Sequence, residues 1–159
     1  MPRMSMDHEA KFAGNAVVSE ITRACLLTRT RRLSRLITNI YDEALRPFGV
    51  NAPQFSLLVL IAKFGPASRA EIGRANYQDR STLTRNLALL LAEGWVQEIK
   101  TDGGRSRPIE LSSKGRQLLI SAAPAWRQAQ VEARKLIGDD AAASILRVVD
   151  DIALDKLKD

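Results

Sequence analysis

The chain has 159 residues, 45% hydrophobic and 26% charged, the balance of an ordinary globular domain long enough to bury a core. Its 24 Lys and Arg against 18 Asp and Glu leave a net charge of +6, which favours an anionic partner such as nucleic acid or a membrane surface. Residues 57–62, among the longest apolar runs, are far too short to cross a bilayer, and the first eight residues lack the apolar segment of a secretory signal. The single cysteine can form no internal disulfide, so a reducing, cytoplasmic location is expected.

Aromatic residues are only 5% and Leu and Ala abound, so helices should dominate. Residues 1–18 carry little periodicity and read as a loose arm or a short helix. A long helix is predicted from Ser19 to Pro47, with Leu26, Leu33, Ile37, Ile40 and Ala44 on one stripe and Leu36, Tyr41 and Leu45 widening it. The run from Val50 to Phe55 is a dense start signal. Asn51 can cap, Gln54 stands at the third position of a capping box, Pro53 suits a first turn, and Val50 and Phe55 occupy staple positions. The helix that follows, to Phe64, is apolar nearly all round and is expected at the centre of the core. Gly65 and Pro66 stop it.

Ser68 and Glu71 form a second capping box, opening a short helix to about Ala75. Asn76, Tyr77 and Gln78 make a turn, and Asp79 then caps a helix that Gly94 ends in a left-handed conformation. Leu83, Leu87 and Leu90 give this helix an apolar stripe. Ser81, Thr82, Arg85 and Asn86 are placed roughly opposite, an inventory suited to phosphates and base edges in a DNA major groove. Two short helices joined by a tight turn make a helix-turn-helix.

After Gly94 the period changes. Trp95, Ile99, Ile109 and Leu111 share strand parity around residues 101–107, which predicts a β-hairpin with a basic tip and Pro108 at a strand start. Ser112 or Ser113 caps a helix from about Lys114 to Ile137, with Leu119, Ala122, Trp126, Ala129, Ala133 and Leu136 on its apolar side and a kink expected at Pro124. Gly138 ends it, and Asp139 is expected to cap a last helix striped by Ile145, Val148, Val149 and Ile152.

Glu71 and Ile72, residues 79–85, the Gly94-Trp95-Val96 run, Arg105, and residues 111–115 together resemble the MarR family of bacterial transcription regulators. The resemblance covers roughly residues 31–128, without gaps from Glu71 to Gly94. Residues 111–115 are similar to that family's Leu-Thr-x-x-Gly, with Ser112 in place of Thr. The resemblance implies a mainly α fold with one small β-hairpin, a winged helix-turn-helix with long N- and C-terminal dimerisation helices. Residues 1–159 would form one MarR-like domain, with an arm at 1–19, dimerisation helices at 20–48 and 115–157, and the DNA-binding part at 49–114. The recognition helix would be Asp79–Glu93 and the wing Thr101–Arg107. Two departures stand out. Asn76 and Tyr77 replace the family's Leu-Gly, which predicts an unusual turn with Tyr77 strained or exposed. Gly103 stands where the family has a wing Asp bracing the Arg, although Asp102 could serve.

The resemblance implies a homodimeric, sequence-specific DNA-binding regulator acting as a repressor on a pseudo-palindromic operator and released by a small-molecule effector. Double-stranded DNA and a second copy of the chain are the expected partners, with no membrane and no cofactor. Arg85 is expected to contact a phosphate or a guanine, and Ser81, Thr82, Thr84 and Asn86 to lie beside it. Arg105 and Arg107 would reach a minor groove or its phosphates, and Ser68 and Arg69 the phosphate backbone. An aromatic or phenolic effector would sit near Arg29, Arg32, Tyr41 and Trp126, positions that no motif marks. Cys25 leaves two readings open. It is a small core residue, or a redox sensor whose thiolate Arg29 favours, as in the family's peroxide-sensing branch. A winged helix used for protein contact is a further alternative. No phosphate-binding glycine pattern, metal-ligand cluster or nucleophile–base pair is visible, so no enzyme and no metal site is expected.

Overall fold

The computed structural model describes residues 6–100 and 107–155, with side chains over 14–100 and 107–152. The chain divides into two compact units, Met1–Ile37 and Thr38–Asp159.

The first unit holds α1 (Met6–Ala24) and the start of α2 (Leu26–Leu45). Helix therefore begins 13 residues before the expected Ser19 and is interrupted at Cys25. The run Glu9-Ala-Lys-Phe-Ala13 has the propensity for helix without the stripe that would have marked it. At the interruption the Arg29 guanidinium turns back to donate to the carbonyls of Arg23, at 2.9 Å, and Thr22, at 3.4 Å. It thereby satisfies acceptors that a helix C-terminus leaves open.

In the second unit α2 stops at Leu45, two residues before Pro47, and Arg46–Phe48 tighten into a 3-10 turn. Helix α3 (Ala52–Phe64) starts as its sequence specifies. Asn51 accepts from the Gln54 amide, the Gln54 side chain accepts from the Asn51 amide, and Val50 and Phe55 are buried beside the cap. Leu57, Leu58 and Ile61 are buried, but Val59 and Phe64 are exposed, so α3 is not enclosed on every side as its composition suggested.

Helix α4 (Arg69–Ala75) carries the Ser68–Glu71 capping box. Helix α5 (Arg80–Ala92) is capped by Asp79, which accepts from the Thr82 amide at 2.9 Å. Its far end closes on Gly94 at φ 70°, with the Gly94 amide donating to Leu91 and the Trp95 amide to Leu90. This 5→2 and 6→1 pair needs a left-handed residue at its centre, and buried Trp95 and Leu90 meet across it.

Strands β1 (Val96–Glu98) and β2 (Ile109–Leu111) pair antiparallel, Val96 with Leu111 and Glu98 with Ile109. The inward parity in β1 is Val96's, not that of Trp95 and Ile99. Trp95 is buried because it completes the α5 cap, before the strand begins. Ala67 adds a bridge to Ile109 that no strand pattern announced. Pro108 precedes β2, and its carbonyl accepts from Ile99.

Helix α6 (Ser113–Ile137) runs through Pro124, and α7 (Asp139–Asp155) follows Gly138. Ala122, Ala129 and Ala133 of α6 are buried, whereas Trp126 and Leu136 of the same stripe are exposed in the single chain. Asp139 is the first residue of α7 rather than its cap. Its carboxylate takes the Arg134 guanidinium at 3.0 Å. No helix among the described residues is long and apolar enough to cross a membrane.

Candidate nucleic-acid interface

The core holds α5 by one side only. Leu83, Leu87 and Leu90 are buried with Ile72 of α4 and Ile61 of α3. This leaves Ser81, Arg85 and Ala88 exposed on the opposite face, with Thr84 exposed at its edge. Thr82 and Asn86 are half-buried. Asn86 lies 60° of helix rotation from Leu83 by the ~100° step per residue, so it flanks the leucine stripe rather than opposing it.

Several of the predicted contact residues are tied into local structure. The Ser81 hydroxyl donates to Asp79 at 2.6 Å, and the Thr84 hydroxyl donates to the Arg80 carbonyl at 2.7 Å. The hydrogen bonds from Ser81 and Thr82 hold the Asp79 carboxyl far below the usual carboxylate range. Ser68 serves in its capping box, donating to Glu71 at 2.6 Å, and this bond lowers the Glu71 carboxyl as well.

The turn into α5 is unusual. Tyr77 has φ 51°, the only non-glycine residue among those described with a positive φ. Its amide donates to Arg74 and that of Gln78 to Gly73, the same closing pattern as at Gly94. Tyrosine therefore occupies a left-handed position that costs an L residue about 1–2 kcal/mol. The turn keeps its shape at the expense of strain, and the Tyr77 ring is exposed.

Beside this turn lies an open groove of about 1520 Å3, lined in part by Lys63, Arg69, Arg74, Arg80, Thr84 and Arg107. Five cationic side chains on one concave surface favour an anion. Arg69 is ion-paired with Glu98 of β1, and Arg107 approaches the other oxygen of the same carboxylate at 3.4 Å. Glu98 is depressed below the ordinary carboxylate value, first by the Arg69 hydrogen bond. Glu98 carried no sequence signal. Only the strand register, which sets it between a helix start and a strand start, brings it to both arginines. Arg105 and the remainder of the expected wing tip, including Asp102 and Gly103, lie outside the described residues.

The expected effector residues are divided between the two units. In the first, Arg29 is engaged with the end of α1 and Arg32 is exposed. In the second, the Tyr41 hydroxyl donates to Gln130 of α6, and partial burial raises its pKa. Trp126 lies one turn before Gln130. Cys25 sits at the helix interruption. Its thiol is lowered by hydrogen bonding to Thr28, not by the Arg29 charge that the sequence suggested.

Residues 48–105 match the MarR family. An HTH-type transcriptional regulator of Bacillus subtilis, YwoH, is 29% identical over 89 residues, 56% of this chain and 65% of its own length, just under two thirds. The transcriptional regulator MosR of M. tuberculosis, solved in complex with DNA, is 33% identical. That likeness covers 82% of this chain and 98% of MosR with a TM-score of 0.68. A mutant MarR from E. coli complexed with operator DNA is 19% identical, covers 83% of this chain and 96% of its own, and has a TM-score of 0.73, a likeness of fold.

Proposed function

The chain belongs to the MarR family of transcription regulators, which are not enzymes, and on that premise we propose that it is a homodimeric repressor that binds a pseudo-palindromic operator and is released by a small-molecule effector in the cytoplasm. The observation that carries this is the outward face of α5. Arg85 stands on it with Ser81, opposite the buried leucines and next to a groove lined by Thr84 and five cationic residues. The helix presents its polar face as a recognition helix must, with Arg85 reaching a guanine edge or a phosphate. The likeness to MosR, which was solved with DNA, supports the same partner.

Arg69 and Arg107 serve the phosphate backbone in this reading, and Thr82, Asn86, Ser68 and Arg105 complete the interface. Dimerisation draws on α7, whose Ile145, Val148, Val149 and Ile152 are exposed in the single chain. Stripes of this size are rarely left in water. Half-sites then lie about one helical turn apart, about 34–36 Å. An effector near Tyr41 and Trp126 acts by favouring dimers whose recognition helices are mis-spaced, a shift of population. Arg85→Ala is expected to cost roughly 1–3 kcal/mol of operator binding and to relax base preference at one position per half-site. Unchanged affinity with unchanged preference removes Arg85 from the interface.

A second reading rests on Cys25. Its lowered thiol pKa and half-exposed position at the α1–α2 interruption suit oxidation. Cys25→Ser should bind DNA normally yet lose release by peroxide. A variant that still responds eliminates this reading.

A further inference from the structure

Glu98 is an acid placed among bases. Its carboxylate divides, one oxygen to Arg69 at the start of α4 and the other toward Arg107 just before β2. Its backbone is fixed in the β1–β2 ladder opposite fully buried Ile109, so the carboxylate projects from a rigid base. Each guanidinium has five N–H donors and spends few of them on Glu98, which leaves a charged, donor-rich edge free for another anion. Both guanidiniums line the groove that also contains Arg80 and Thr84 of α5. Two arginines that would otherwise move independently, one at the start of α4 and one just before β2, are joined at one carboxylate of β1.

We propose that Glu98 is a positioning residue for DNA binding, holding Arg69 and Arg107 at a fixed spacing so that both engage the phosphate backbone of a duplex lying across the groove. This rests on the DNA-binding reading of the chain. The physical reason is entropic. A long arginine side chain that is already ordered loses less freedom on binding than one that is free. The local charge stays positive, two guanidiniums against one carboxylate, so the groove keeps its attraction for phosphate.

The proposal predicts a sign opposite to simple charge counting. Removing a carboxylate near DNA should tighten binding if Glu98 only repels phosphate. It should weaken binding if Glu98 orders the arginines. The probe is a duplex of the sequence that the wild-type protein selects from a random pool, with affinity read by fluorescence anisotropy. Glu98→Gln keeps the side-chain size and should bind that duplex about three- to tenfold more weakly. The same substitution in an Arg69→Ala, Arg107→Ala background should cause no further loss, because there is nothing left to position. Unchanged or tighter binding by Glu98→Gln overturns the proposal. So does a loss that persists in the double-alanine background, which would mark a merely structural role. Wild-type protein that binds no duplex at any salt concentration defeats the DNA-binding reading itself, and the proposal with it.

Discussion

The Ser112 hydroxyl donates to the Gly94 carbonyl at 2.7 Å and accepts from the Gly115 amide at 3.0 Å. One side chain therefore joins the end of α5 to the start of α6. Gly115 lies so close to the same junction that a Cβ there would stand 2.1 Å from the Trp95 carbonyl oxygen. The Leu-Ser-x-x-Gly run is a joint between α5 and α6. Ser112→Ala should lower stability by about 1–2 kcal/mol through the lost cap and lost tie. Gly115→Ala should cost about 3 kcal/mol or more, because backbone rather than a flexible side chain must move. Chemical denaturation measures both, and a Gly115→Ala protein as stable as wild type would contradict the packing described.

Tyr77 tests the turn before α5. Tyr77→Gly and Tyr77→Val both remove the phenol ring, so their difference reports the backbone alone. With φ at 51°, the glycine variant should be the more stable by about 1–2 kcal/mol, since a β-branched residue resists the left-handed region. Equal stabilities would mean that the turn adopts an ordinary negative φ.

Asp79 supplies a pH signature. Its hydrogen bonds from Ser81 and the Thr82 amide depress the folded-state pKa below the ordinary 3.8. A depressed carboxylate contributes stability above its unfolded pKa and loses that contribution as pH falls towards the folded value. The Tm difference between wild type and Asp79→Ala should therefore be largest near about pH 6 and shrink at about pH 2.5. A difference that grows on acidification would contradict this cap.

The α7 stripe bears on assembly. Val148 and Val149 are 56% and 57% exposed in the single chain. Val149→Glu should place a charge in a dimer interface and shift sedimentation towards monomer, with helicity retained. Dimers of unchanged stability would exclude this face from assembly.

Much of the fold was legible because its helix ends are written in local chemistry. Asn51 with Gln54, Ser68 with Glu71, Asp79 and Gly94 each fix a boundary within a few residues, and the leucine stripe of α5 follows from period alone. The outward placement of Arg85 came with that stripe. What stayed hidden depends on tertiary neighbours. Arg29 takes carbonyls of α1 rather than facing an effector or Cys25, and no local pattern encodes that turn of its side chain. Trp95 looked like a strand residue because burial by a helix cap and burial by a sheet leave the same hydrophobic signal. Glu98 was silent because its meaning lies in two arginines, one 29 residues before it and one 9 after, which only the strand register brings near.

The most direct test of the account is duplex binding as a function of salt. In the proposed dimer, with Arg69 and Arg107 of each subunit on phosphates, the logarithm of affinity should fall linearly with the logarithm of salt concentration. About four phosphate contacts correspond to a loss of roughly a hundredfold between about 50 and 200 mM. A protein whose affinity for duplex DNA does not change over that range would contradict the phosphate-contacting, DNA-binding role assigned to α5 and its neighbouring groove.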